Sequence, residues 1–113
     1  MNWSTASWTE FLSRHVKTLY GCDFFTKSVV TPKGLAEMYL LVVIHWETRR
    51  IWVSPATAHP DSAWVTQQAR NFLLDAGEIE ITHLLRDRDT KYTAAFDAEW
   101  ESQGVTIRKI PPK

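Results

Sequence analysis

Residues Met38 to Trp46 form an almost unbroken apolar run. The run is far shorter than the ~20 residues that span a bilayer. It also lacks the strict alternation of a half-solvated strand. It reads as a strand buried on both faces, which requires layers above and below it. Thr18 to Thr26 has the same character, being rich in aromatic and β-favouring residues on both alternating faces. Glu47-Thr48-Arg49-Arg50 then makes a polar turn, and Ile51 to Ser54 returns as a third strand. Short connections favour antiparallel neighbours, so these three strands are expected to form a meander.

After His59-Pro60 the hydrophobic period changes. Asp61 or Ser62 can cap a helix whose stripe is Val65, Ala69, Phe72, Leu73 and Ala76, with Gly77 ending it. Ile81 to Arg86 is a fourth strand, and a helical crossover makes it parallel to an earlier one. A further helix from Ala94 to Gln103 buries Phe96 and Trp100 and stops at Gly104; Val105 to Arg108 is a fifth strand, broken by Pro111-Pro112. At the front, Ser7-Trp8-Thr9-Glu10 fits a capping box. Trp8, Phe11, Leu12 and His15 then share one helical face that packs on the core. The expected fold class is α/β: a mixed five-stranded sheet with helices on its faces.

A chain of 113 residues is one domain's worth, and six Trp, five Phe and three Tyr supply a core for it. The single cysteine, Cys22, excludes an internal disulfide and any multi-cysteine metal site, and reads as a small buried hydrophobe. Thirteen basic against thirteen acidic residues give zero net charge, which does not advertise a nucleic-acid binder. No secretory signal and no membrane span are visible, so a soluble, cytoplasmic protein is expected.

Two carboxylates stand out. Asp23 sits inside a strand read as covered on both sides, where an ionised group is costly unless paired, hydrogen-bonded or metal-bound. Asp87 emerges where the fourth strand ends, and ligand sites in open sheets form outside such ends. If strands one and four are parallel neighbours, the two acids face each other. Oxygen ligands without a cysteine or histidine cluster suit Mg²⁺ or Mn²⁺ rather than zinc. Bland readings stand beside this one. Asp23 can be a satisfied structural group, and Asp87-Arg88-Asp89 a solvated turn. Arg49 and Arg50 most simply solvate a hairpin tip, and Glu99 and Glu101, beside Asp97, the solvent face of a helix. His59 reads as part of a turn or a phosphate contact, and no two neighbouring histidines have metal-ligand spacing.

Taken together, Tyr20-Gly21-Cys22-Asp23-Phe24-Phe25, Thr48-Arg49-Arg50, Ala58-His59-Pro60, the segment Trp64 to Asn71, and the segment Arg86 to Tyr92 resemble the integrase catalytic core of DDE transposases and retroviral-type integrases. The resemblance covers nearly the whole chain. It implies a ribonuclease-H-like fold in which strands 1–3 form an antiparallel meander and strands 4 and 5 run parallel to strand 1. On that basis residues 1–17 are a helical lead-in and 18–113 part of the catalytic core. It further implies DNA as partner, a homodimer as an allowed assembly, and metal-dependent DNA cleavage and strand transfer with Mg²⁺ or Mn²⁺. Asp23 matches the family's first catalytic aspartate and Asp87 its second, both also metal ligands; Asp89 is an auxiliary group. The family's third carboxylate, a helical Glu, would fall beyond Lys113, with Ile110 to Lys113 leading towards it. Glu99 and Glu101 come too soon after Asp87 to replace it. The resemblance therefore implies a core fragment inactive alone. The competing expectation is a non-catalytic remnant that binds nucleic acid weakly or dimerises.

Overall fold

Leu19–Thr31 (β1) is the central strand of a five-stranded sheet in the computed structural model, which describes residues 5–110. On one side it pairs antiparallel with Gly34–His45 (β2), which pairs antiparallel with Ile51–Val53 (β3). On the other side it pairs parallel with His83–Arg86 (β4), and β4 pairs parallel with Thr106–Lys109 (β5). The order β3-β2-β1-β4-β5 is the mixed meander-plus-parallel sheet expected of a ribonuclease-H-like core. Among the described residues no helix is long and apolar enough to cross a membrane.

One sheet face carries the main core. Helices Ser62–Ala76 (α2) and Ala94–Glu101 (α3) lay Val65, Ala69, Phe72, Phe96 and Trp100 onto Cys22, Leu41, Val43 and Leu84. Both helices start on side-chain caps: Asp61 Oδ1 accepts the Trp64 N–H at 2.8 Å, and Thr93 Oγ1 accepts the Phe96 N–H. Gly77 closes α2 at φ 66° and ψ −128°, a positive-φ geometry that other residues rarely adopt. On the opposite face lies Thr5–His15 (α1), whose Phe11 packs on Leu19 and Leu85 with Trp8, Leu12 and Trp46 around it. Gly21 lets Trp46 lie close to the sheet, since a Cβ there would come within 3.3 Å of its indole nitrogen.

Several boundaries differ from expectation. Ser7 does not cap α1, because the helix already includes Thr5 and Ala6. Strands β1 and β2 run on past Thr26 and begin before Met38, meeting at Pro32-Lys33 in a long hairpin. Most of its outer half is solvated, with Val30 86% and Leu35 77% exposed, so no buried side of the pattern marked it as strand. Strand β4 starts at His83 rather than Ile81, although the Thr82 N–H still donates to the Thr18 carbonyl at 3.0 Å. Pro111 and Pro112, expected to break the last strand, lie outside the described residues, as does the start of the lead-in.

The α1 contact brings two histidines together that are far apart in sequence. The His15 and His83 rings lie 4.3 Å apart, with Phe11 edge-on to His83 at 5.1 Å and Arg108 over the Phe11 ring. Burial, then the charges of His15 and Arg108, hold the His83 imidazole below its ordinary basicity. The unfolded chain therefore takes up this proton first. The stability involved is present above the unfolded value of about 6.5 and lost as pH falls through it towards the lower folded value. Thermal unfolding is expected to show a lower Tm at about pH 5.5 than at about pH 7.5, with the drop reduced in His83→Asn.

Candidate functional site

The parallel pairing of β1 with β4 sets Leu19 opposite His83, Tyr20 opposite Leu84 and Gly21 opposite Leu85. Two residues further along each chain stand Asp23 and Asp87. The ladder ends at Gly21 and Leu85; carried on by two residues, its register points Asp23 and Asp87 towards one another at the carboxyl end of β4, where neighbouring strands are about 4.8 Å apart. Their charges are felt accordingly. Burial of its inner side, then the nearby charges of Asp87 and Asp89, raise the Asp23 carboxyl above its ordinary value, against a lowering by the Phe24 N–H.

Asp23 is nevertheless exposed, not buried within a strand covered on both sides. Alternation puts Leu19, Gly21 and Asp23 on the α1 face, where Phe11 packs over the Leu19 end while Asp23 itself stays open to solvent. Cys22, on the other face, is buried as expected, and burial pushes its thiol up to about 12. Two-sided apolarity in Tyr20 to Phe25 thus reflected the aromatic residues of an unevenly covered strand.

Each acid has one oxygen anchored by main chain. Asp23 Oδ1 accepts the Phe24 N–H at 2.9 Å, and Asp87 Oδ1 accepts the Asp89 N–H at 2.9 Å, an Asx turn that leads the chain out of β4. Their other carboxylate oxygens accept no hydrogen bond among the described residues. Asp89 is engaged elsewhere: its carboxylate takes the Lys91 N–H and the Lys91 ammonium, each at 2.9 Å. Burial would raise the Asp89 carboxyl, but these two donors outweigh it and hold it below its ordinary value. His59 sits in an exposed loop, where its N–H donates to Thr57 Oγ1.

Beneath the pair lie groups that the linear pattern did not single out. Arg86 is buried and forks onto Asp97, with Nε and Nη2 donating to the two carboxylate oxygens at 2.9 and 2.8 Å. Asp97 is therefore not a solvated helix position, and Glu99 is also engaged, in an ion pair with Arg70 at 2.7 Å. Tyr92 packs its ring against Phe24 at 5.0 Å, tilted by 34°, and lies under the Arg86 guanidinium. Its hydroxyl is buried without a well-aligned hydrogen-bond partner, its polar neighbour being the Cys22 thiol, and burial pushes it far above the ordinary tyrosine value. An arginine closing the apolar run Leu84-Leu85 was the signal available for this cluster. Arg49 and Arg50 also do more than solvate a turn. The Arg49 guanidinium covers the Trp46 ring at 5.1 Å, and Arg50 lines a cavity of about 450 Å³ with Tyr20, Trp52, Phe72 and Asp75. That cavity includes neither Asp23 nor Asp87.

The donor chemistry fits a hard divalent cation: two carboxylates, mutually repelling, each with an oxygen to offer. The donor number is small, since no group of three or more His, Cys, Asp or Glu converges among the described residues.

Neither a protein-family model nor a curated protein sequence matches the chain. Solved structures do. A chain of the simian T-cell lymphotropic virus intasome, determined in complex with PP2A regulatory subunit B56 gamma, superposes with a TM-score of 0.67 at 11% identity. That match covers 85% of this chain and 32% of the other. The catalytic core domain of BIV integrase superposes with a TM-score of 0.59 at 12% identity, covering 85% of this chain and 56% of that one. The fold is that of a retroviral integrase catalytic core, a ribonuclease-H-like sheet. The chain spans about a third of one of these proteins and just over half of the other.

Proposed function

We propose that this chain is part of a DNA strand-transferase core of the integrase and transposase kind, with Asp23 and Asp87 holding Mg²⁺ or Mn²⁺. The observation that carries the reading is the β1–β4 register, which brings two acids remote in sequence to one strand end on an integrase-core fold. A divalent ion held there would acidify a water or 3′-hydroxyl and offset charge building up on a phosphodiester. Asp23 and Asp87 would supply the oxygens not engaged by main chain, while the Phe24 and Asp89 N–H groups keep the carboxylates from rotating. Exposure of both acids suits a polymeric substrate, which must approach from outside the domain. Two-metal strand transfer calls for a third carboxylate beside Asp23 and Asp87. Zero net charge, with no cationic excess to hold phosphates, favours a second reading, a non-catalytic module that binds nucleic acid weakly or dimerises.

Mn²⁺ titration separates the two. A metal-binding pair holds Mn²⁺ more tightly in the wild type than in Asp23→Asn/Asp87→Asn, and raises Tm with the logarithm of the ion concentration once this exceeds Kd. Equal binding by both proteins would sink the metal reading. Without metal the sign reverses. The folded Asp23 carboxyl lies above its unfolded value, so its charge costs stability at pH 7, and stability is regained as pH falls through the folded value towards about 3.9. Asp23→Asn should therefore melt higher than the wild type at pH 7 without metal, and lose that advantage when Mn²⁺ is added.

A further inference from the structure

Arg86 is 4% exposed, at a strand position that an aliphatic residue would fill at no desolvation cost. Its donors go to two places. Nε and Nη2 grip Asp97 on α3, and Nη1 donates to the main-chain carbonyl of Asp87 at 2.7 Å. The Arg86 carbonyl is held from the other side by the Ile110 N–H, also at 2.7 Å. The peptide units around Asp87 are thus pinned between β5 and a guanidinium whose plane is set by a helix. Only side-chain torsions are left to aim the Asp87 carboxylate, and the Asp89 N–H restricts those.

We propose that Arg86 is a positioning residue that aims Asp87 at Asp23, with Asp97 acting through it. The inference rests on the reading of Asp23 and Asp87 as a metal pair. A planar fork can serve Asp97 and the Asp87 carbonyl together, whereas a lysine ammonium is a point charge that cannot hold both in one plane. Groups that orient a metal ligand without touching the metal commonly change affinity by about 10- to 100-fold when removed.

The test uses Arg86→Lys and the milder Asp97→Asn, which keeps one acceptor arm and guards against a variant that fails to fold. Amide hydrogen exchange is measured without metal and Mn²⁺ affinity by titration, well below Tm. In Arg86→Lys the Asp89 and Lys91 amides are expected to exchange at least about tenfold faster, with Leu84 and Val43 unchanged, and Mn²⁺ affinity to fall about tenfold or more. Asp97→Asn should show both effects, smaller. Unchanged Asp89 exchange in folded variants overturns the inference, and so does unchanged affinity where the wild type binds Mn²⁺ more tightly than Asp23→Asn/Asp87→Asn. Wild-type binding no tighter than that double variant overturns the metal reading instead, and the exchange data then decide alone whether Arg86 orders Asp87.

Discussion

Trp100→Ala is expected to destabilise this protein by about 3–5 kcal/mol, the range for emptying a buried aromatic site. Trp100 is fully buried at the end of α3 and packs against Phe72 of α2 at 5.6 Å and Phe96 at 6.0 Å. The Val105 N–H also bonds to its carbonyl at 3.1 Å, where the chain turns into β5. Removing the indole therefore leaves a cavity where two helices and a strand meet. Against a typical stability of about 5–15 kcal/mol, such a loss leaves the domain marginal. Trp100→Phe should cost much less than Trp100→Ala. It keeps most of the ring and removes a buried Nε1–H that has no hydrogen-bond partner. Urea unfolding of the three proteins checks this ordering, and near-equal midpoints would show that α3 is not held through Trp100.

Asp97→Ala is the second large effect, expected at about 3–5 kcal/mol, because it strands a buried cation. The Arg86 side chain is 5% exposed and that of Asp97 18%, so the stranded guanidinium stays largely desolvated even where water enters the space the carboxylate leaves. The remaining partner of the guanidinium is the Asp87 carbonyl, with the Tyr92 ring beneath it at 5.1 Å. The charge is what makes the loss large. Replacing both partners with apolar residues, Arg86→Met/Asp97→Leu, should cost less than Asp97→Ala alone. A double variant less stable than Asp97→Ala would mean that packing, not the unpaired charge, dominates. The same double variant should still lose the ordering of Asp87, since it lacks the Nη1 donor.

The helices were the most legible elements. The stripe Val65, Ala69 and Phe72 is buried as its spacing requires, the Asp61 and Gly77 ends of α2 fall as expected, and Phe96 and Trp100 are the buried pair of α3. The meander was legible too, because a short turn enforces antiparallel pairing, and a helical crossover made β4 parallel to an earlier strand; its place beside β1 was implied only by the family resemblance. The outer hairpin was not, since Lys27, Ser28, Lys33 and Glu37 bury no face and strand pairing there is held by main chain. Strand ends also shifted by a residue or two, as they do where hydrogen bonding rather than hydrophobicity sets the limit.

Asp23 and Asp87 could be singled out from the chain alone, because an acid inside an apolar run and an acid at a strand end are local anomalies. Their juxtaposition follows from β1 and β4 being parallel neighbours in one particular register. A shift of one residue would have turned the pair onto opposite faces. Exposure of Asp23, the Arg86–Asp97 fork and the His15–His83 contact belong to tertiary structure only. Each depends on how far a helix reaches over the sheet, and on contacts between residues that local periodicity cannot relate. The linear order of residues determined which segments become strands and helices and how they connect. Packing decided which charges are buried and paired and which stay open to solvent, because desolvation depends on what covers a group rather than on its neighbours in the chain.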